Sequence, residues 1–240
     1  MNFLYQVVAQ VRNCILSAAA LVRAGLWAGV LFISLVSSSA HAAATASAPA
    51  AADKTAPVIL VLGDSLSAEY GLKRGTGWVA LLEKKLAAEK IKAKVVNASI
   101  SGDTTSGGRS RLAALLKAQQ PSIVIIELGG NDALRGLPLP MTLDNLNAMT
   151  SAAQGTAAKV LLLGMQLPPN YGADYGAKFA ALYSEVAKDK KTGLVPFFLA
   201  GVADTAEPLK FFQADRIHPN ESAQAAMLAN VWPQLKKLLK

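Results

Sequence analysis

Residues 57–67 read PVILVLGDSLS, a short apolar run rich in β-branched residues that breaks at Gly63-Asp64-Ser65. An unbroken run of this kind suits a strand buried on both faces, as in a parallel sheet. Downstream the pattern repeats, with further short strands expected at Lys94–Ala98, Ile123–Leu128 (IVIIEL), Val160–Met165 and Leu194–Phe198. Helical patterns fall between them. Trp78–Glu89 turns Val79, Leu82 and Leu86 inward, and Arg111–Gln119 turns in Leu112, Leu115 and Leu116 before Pro121 stops it. Met141–Gln154 and Tyr175–Lys188 read as two more helices. A last helix starts near Asn220, a good N-cap, and carries Met227, Leu228, Val231, Leu235 and Leu238 as its stripe. Strand-helix alternation over residues 57–240 predicts one α/β domain, a parallel sheet of about five strands with right-handed crossovers.

What precedes residue 57 has a different character. Residues 1–42 contain no acid and only two charges, Arg12 and Arg23. An apolar run, Ala24–Val36, leads to small residues and to Ala40-His41-Ala42. Basic start, apolar middle and A-x-A end are the parts of a secretory signal peptide. The run is shorter than the ~20 residues a spanning helix needs. Cleavage after Ala42 is therefore expected, with export to the periplasm or the medium; an uncleaved N-terminal anchor is the alternative. Residues 43–56, rich in Ala with Ser, Thr and Pro, read as a flexible lead.

That cleavage has chemical consequences. Cys14 is the only cysteine, so the mature chain has no disulfide and no thiol chemistry. His41 leaves with the leader, so one histidine remains, His218, and a multi-histidine zinc site is excluded within one chain. Loss of Arg12 and Arg23 takes the formal charge from +8 to +6. The lysines are scattered over positions that read as solvated helix faces, with no basic run interleaved with aromatics, so nucleic acid is not an expected partner. A transient contact with anionic lipid is permitted. Hydrophobic residues at 52% and charged residues at 17% fit a packed core rather than disorder.

In a sheet of this type ligands bind outside the carboxyl ends of the strands. Each loop there carries polar residues. The first, Gly63-Asp64-Ser65-Leu66-Ser67, places a hydroxyl at a sharp turn, where free N–H groups favour negative charge. The second contains Gly102 and Asp103; Gly102 can present a backbone N–H, and Asp103 can cap the following helix. In the third, Gly129-Gly130-Asn131-Asp132, the Asn131 amide can donate to an oxyanion. Late in the chain, Asp215-Arg216-Ile217-His218-Pro219 supplies an imidazole and a carboxylate three residues before it. A serine nucleophile needs such a base, and the base needs a group that fixes its tautomer. Taken singly, each loop also reads as an ordinary turn or helix cap. Taken together, they deliver nucleophile, donors and acid-base pair to one rim.

The four blocks, Gly63-Asp64-Ser65-Leu66-Ser67, Gly102, Gly129-x-Asn131-Asp132 and Asp215-x-x-His218-Pro219, resemble those of the SGNH (GDSL) hydrolase family in their order. Longer strings, NASISGDT at 97–104, ELGGND at 127–132 and LPPNYG at 167–172, are similar to the thioesterase I/lysophospholipase and arylesterase subgroup. The resemblance implies a flavodoxin-like three-layer α/β/α fold. It implies Ser65 as nucleophile, His218 as base, Asp215 as its orienter, and an oxyanion hole made of the Ser65 N–H, the Gly102 N–H and the Asn131 amide. It implies no metal and no cofactor. The expected substrate is a small acyl ester or thioester, including lysophospholipids, hydrolysed by a monomer. Leu137, Leu139, Leu167, Pro168 and Tyr171 are candidates to line an acyl groove, or else simply to pack the domain. Glu69 and Arg216 stand where the subgroup often has smaller residues, which bears on acyl and leaving-group preference. Two other functions fit the same scaffold, an esterase for polysaccharide O-acetyl groups and a non-catalytic binding protein.

Overall fold

A computed structural model describes residues 56–240. The expected leader, 1–42, and the Ala-rich lead as far as Thr55 lie outside the described residues. Five parallel strands form one sheet: β1 (Val58–Gly63), β2 (Lys94–Asn97), β3 (Ile123–Glu127), β4 (Lys159–Leu163) and β5 (Gly193–Val195). Their order is β2-β1-β3-β4-β5, with Ile59 beside Ile123 and Ile123 beside Lys159. β3 is buried throughout, as are β1 after Val58 and β4 after Lys159, because they lie inside the sheet with helices on both faces. Helices α1 (Trp78–Ala88) and α6 (Gln224–Leu238) pack together on one face. Helices α2 (Thr105–Gln119), α4 (Leu139–Gln154) and α5 (Ala173–Lys190) cover the other. A short helix, α3 (Gly130–Leu134), follows β3 directly. The result is the expected α/β fold. The chain leaves β1 toward β2 on one side and returns to β3 on the other, so the strand order reverses between β1 and β3. Such a switch point opens a crevice at the strand ends.

The elements depart from expectation where backbone sterics outrank periodicity. α2 starts at Thr105, six positions before Arg111, because Gly107 and Gly108 hide its first turns. Gly108 lets the helix approach closely there: a Cβ would come within 2.3 Å of Leu128 Cδ1. Thr104, not Asp103, caps that helix, its hydroxyl accepting the Gly107 N–H; Asp103 is held instead in an ion pair with Arg111. β5 stops at Val195, before Pro196, which has no N–H to give the ladder. Leu115 and Leu238 pack only partly buried against the core. Asn220 caps a 3-10 turn, Glu221–Ala223, which runs into α6.

Candidate active site

β1 ends in a turn that only glycine can begin. A Cβ on Gly63 would lie 2.8 Å from both Glu127 Oε2 and Ser67 Oγ. Beyond it the Asp64 carbonyl accepts the N–H groups of Ser67 and Ala68, and Asp64 Oδ1 accepts that of Leu66 at 3.0 Å. Ser65 is thereby placed at the carboxyl end of the sheet, 9% exposed.

The imidazole comes from the segment between β5 and α6. Phe212 and Pro219 form an isolated antiparallel bridge that closes a turn. Inside it the Gln213 N–H donates to the His218 carbonyl at 2.8 Å, and Arg216 sits at the bend with φ 61°. Asp215 Oδ1 accepts the N–H groups of Ile217 and His218 at 2.9 and 3.0 Å, while Oδ2 lies 2.7 Å from His218 Nδ1. The His218 N–H, then that of Ile217, then the imidazole hold the Asp215 carboxyl down at about 2. An ionised Asp215 takes the proton-bearing Nδ1, so Nε2 carries the lone pair. Nε2 is 2.9 Å from Ser65 Oγ.

The candidate donors belong to the segments that follow β1, β2 and β3. Asn131, in the first turn of α3, gives one amide proton to Asp64 Oδ2 at 2.9 Å and keeps the second. Gly102 stands at φ 78°, its carbonyl held by Arg135 Nη2 at 2.9 Å. Neither the Ser65 nor the Gly102 backbone N–H meets an acceptor among the described residues. Two ties register these loops, one buried and one partly buried. Asp132 accepts the N–H and the hydroxyl of Thr105 at the start of α2, and the Thr142 hydroxyl of α4. Arg111 reaches back to Asp103 and to the Ala98 carbonyl.

The structure thus brings together Ser65, Asp215, His218 and Asn131, with Gly102 held beside them through Arg135. The acyl-groove candidates are less unified. Leu137 is half-buried, Leu167 packs on the core, Pro168 precedes the 3-10 turn Pro169–Tyr171, and the exposed Tyr171 ends it. Leu139 lies elsewhere, in a groove between α4 and α5 with Leu143, Lys178 and Leu182. Glu69 turns back into its own loop, where its carboxylate accepts the Gly75 and Gly77 N–H groups. Among the described residues no group of three His, Cys, Asp or Glu is placed to hold a metal ion.

Three contributors were not foreseen. Tyr70 lays its ring against His218, centroids 4.4 Å apart. The Gln213 side chain donates to the carbonyls of Tyr70 and Pro219, tying the histidine turn to the serine loop. Glu127 lies buried beneath the serine turn; a lone acid closing IVIIE is the signal that could have found it.

Residues 61–226 match the GDSL-like Lipase/Acylhydrolase family model. Esterase TesA of Pseudomonas aeruginosa is 54% identical over 184 residues, which are 77% of this chain and 90% of that protein. A crystal structure of TesA superposes with a TM-score of 0.73 over 75% of this chain and 99% of its own. Thioesterase 1/protease 1/lysophospholipase L1 of Escherichia coli is 43% identical over 77% of this chain and 86% of its own length. The psychrotrophic esterase EstA from Pseudoalteromonas sp., in a structure inhibited by monoethylphosphonate, has a TM-score of 0.71 at 40% identity, covering 76% of this chain and 98% of its own. The chain belongs to the GDSL-like lipase/acylhydrolase family and is an ester or thioester hydrolase.

Proposed function

We propose that this enzyme is an exported serine hydrolase of acyl esters and thioesters in which Ser65, His218 and Asp215 carry out a two-step acyl transfer. The observation that carries the reading is the hydrogen-bond chain Ser65 Oγ–His218 Nε2–Asp215, at 2.9 and 2.7 Å. In the first step Oγ bonds to the carbonyl carbon while its proton passes to His218 Nε2. The charge that develops on the carbonyl oxygen falls to the Ser65 N–H, the Gly102 N–H and the free Asn131 amide proton. The bond to the leaving group breaks, and the departing alcohol or thiol takes the proton from His218. Water then gives a proton to His218 as its oxygen bonds to the acyl carbon; the bond from that carbon to Ser65 Oγ breaks, Oγ takes the proton back from His218, and the carboxylic acid leaves. Asp215 stays ionised and stabilises the transient imidazolium.

The acyl chain would lie along Leu137, Leu167, Pro168 and Tyr171. Lysophospholipids fall within the expected range, through transient contact of a monomer with lipid. Export rests on the leader pattern of residues 1–42, and a mature chain beginning at Ala43 is the expected outcome of N-terminal sequencing.

The direct test is an acyl chain-length panel of p-nitrophenyl esters and acyl-CoA thioesters, with fluorophosphonate labelling. Ser65→Ala loses both turnover and label with the fold intact. Asn131→Ala keeps the label and loses roughly 10²–10³ in kcat. Wild-type turnover by Ser65→Ala would refute the mechanism. A panel that peaks sharply at acetyl would favour the O-acetyl esterase reading.

A further inference from the structure

The carboxyl group beneath the nucleophile is the least explained feature of the site. Glu127 ends β3 and is 1% exposed. Its Oε2 accepts the Ser67 hydroxyl at 2.7 Å and the Asp64 N–H at 3.3 Å, the residues on either side of Ser65 and Leu66. Ser67 Oγ is itself held by the Trp78 indole N–H at 3.1 Å. Glu127 Oε1 is buried and meets no donor. An ionised carboxylate with one oxygen unsatisfied is far costlier to bury than a neutral acid. The second acid, Asp64, is 3% exposed, but it is the better solvated by the protein, accepting the Leu66 N–H and the Asn131 amide. Burial, and then the neighbouring Asp64 charge, push the Glu127 carboxyl well above the ordinary carboxylate range. The pair therefore holds one charge, on Asp64.

We infer that Glu127 is a positioning residue: as a neutral acid it bolts the turn carrying Ser65 to the end of β3 and leaves Asp64 as the anion that orients the Asn131 amide. The chain of action is short. Glu127 fixes the backbone of Asp64 and, through Ser67, the far end of the turn. Asp64 Oδ2 anchors one Asn131 amide proton, which aims the other toward the developing oxyanion. Glu127 touches no substrate. Its effect belongs to kcat, since the oxyanion exists only in the transition state.

This rests on the serine-hydrolase reading above, and its test separates the two. Glu127→Gln keeps the acceptor oxygen and the neutral charge; Glu127→Asp keeps the acid but draws it back by one methylene. Expected are a kcat for Glu127→Gln within about threefold of wild type, and a kcat for Glu127→Asp lowered roughly 10–10²-fold with KM nearly unchanged. In the Asn131→Ala background the Asp substitution should cost less than it does in the wild type, because part of its effect runs through that donor. Should Glu127→Asp not fold, Ser67→Ala removes the hydroxyl from Oε2 and carries the same expectation. Wild-type kcat in the Asp variant, a Gln variant as impaired as the Asp variant, or full additivity with Asn131→Ala would overturn the proposal. Failure of the serine mechanism itself would show instead as turnover by Ser65→Ala, whatever substitution stands at 127.

Discussion

Asp64 is an expensive residue for the fold. It lies 3% exposed beside Ser65, and its carboxyl is pushed from 3.8 up to about 6, chiefly by burial. The folded protein thus holds this proton more tightly than the unfolded chain does. The favourable contribution is complete below about pH 4 and fades as pH rises toward 6, where a buried group must ionise. Asp64→Asn has no such titration. The wild type should therefore lose stability relative to Asp64→Asn between pH 4 and pH 7, on the order of 2–3 kcal/mol. Thermal unfolding of both proteins across that range gives the answer, and parallel curves would refute the assignment. If Asp64 orients Asn131 as proposed, the cost is a local trade of stability against activity. The motifs pointed to Ser65 and Asn131, and elimination pointed to His218 once the leader's histidine was set aside. Asp64 read only as a turn residue, and Glu127 as the tail of a strand. Burial of an acid is a property of tertiary packing, which neither spacing nor composition records.

At the scale of elements, the loops of the site are positioned by helix starts. α2 begins one residue after Thr104, two after Asp103 and three after Gly102, so any shift of its axis moves the Gly102 N–H. Its approach to the sheet depends on Gly108, whose missing Cβ would stand 2.3 Å from Leu128 Cδ1 and 3.3 Å from Met149 Sδ. Leu128 is fully buried and has nowhere to swing. Gly108→Ala gains about 1 kcal/mol in helix propensity but meets an overpacking penalty of about 1–3 kcal/mol. The expected outcome is a net loss of about 1 kcal/mol, a fall in Tm of about 2–4 °C, read by calorimetry. A Tm at or above wild type would mean that α2 can lift off Leu128 freely. The same glycines explain why this helix was read from Arg111 only: a window containing Ser106, Gly107 and Gly108 has no apolar stripe to count. α3 escaped for a related reason, being five residues long and opened by Gly129 at φ 117°.

For the whole molecule, strand alternation announced a parallel sheet, but not the order of its strands. The order matters because it divides the site. Ser65, Gly102 and Asn131 sit on loops from β1, β2 and β3, three neighbours in the sheet. His218 arrives from the segment between β5 and α6, across two strands. What anchors that segment is uneven. Deep in the fold, Gln224 at the start of α6 accepts the buried Trp78 N–H at 3.0 Å. The histidine turn itself relies on Gln213, on the ring contact with Tyr70, which is 49% exposed, and on a long 3.4 Å bond from the Lys73 N–H to Glu221. Segments held by few and exposed ties open at lower free energy than the core. In a urea series, then, esterase activity should vanish at a lower concentration than the far-UV circular dichroism of the sheet and helices. Gln213→Ala should lower the activity midpoint further and leave the dichroism midpoint in place. If both midpoints coincide in the wild type and move together in the variant, the histidine turn opens only with the whole fold, and the acid-base pair is as stable as the sheet that carries the nucleophile.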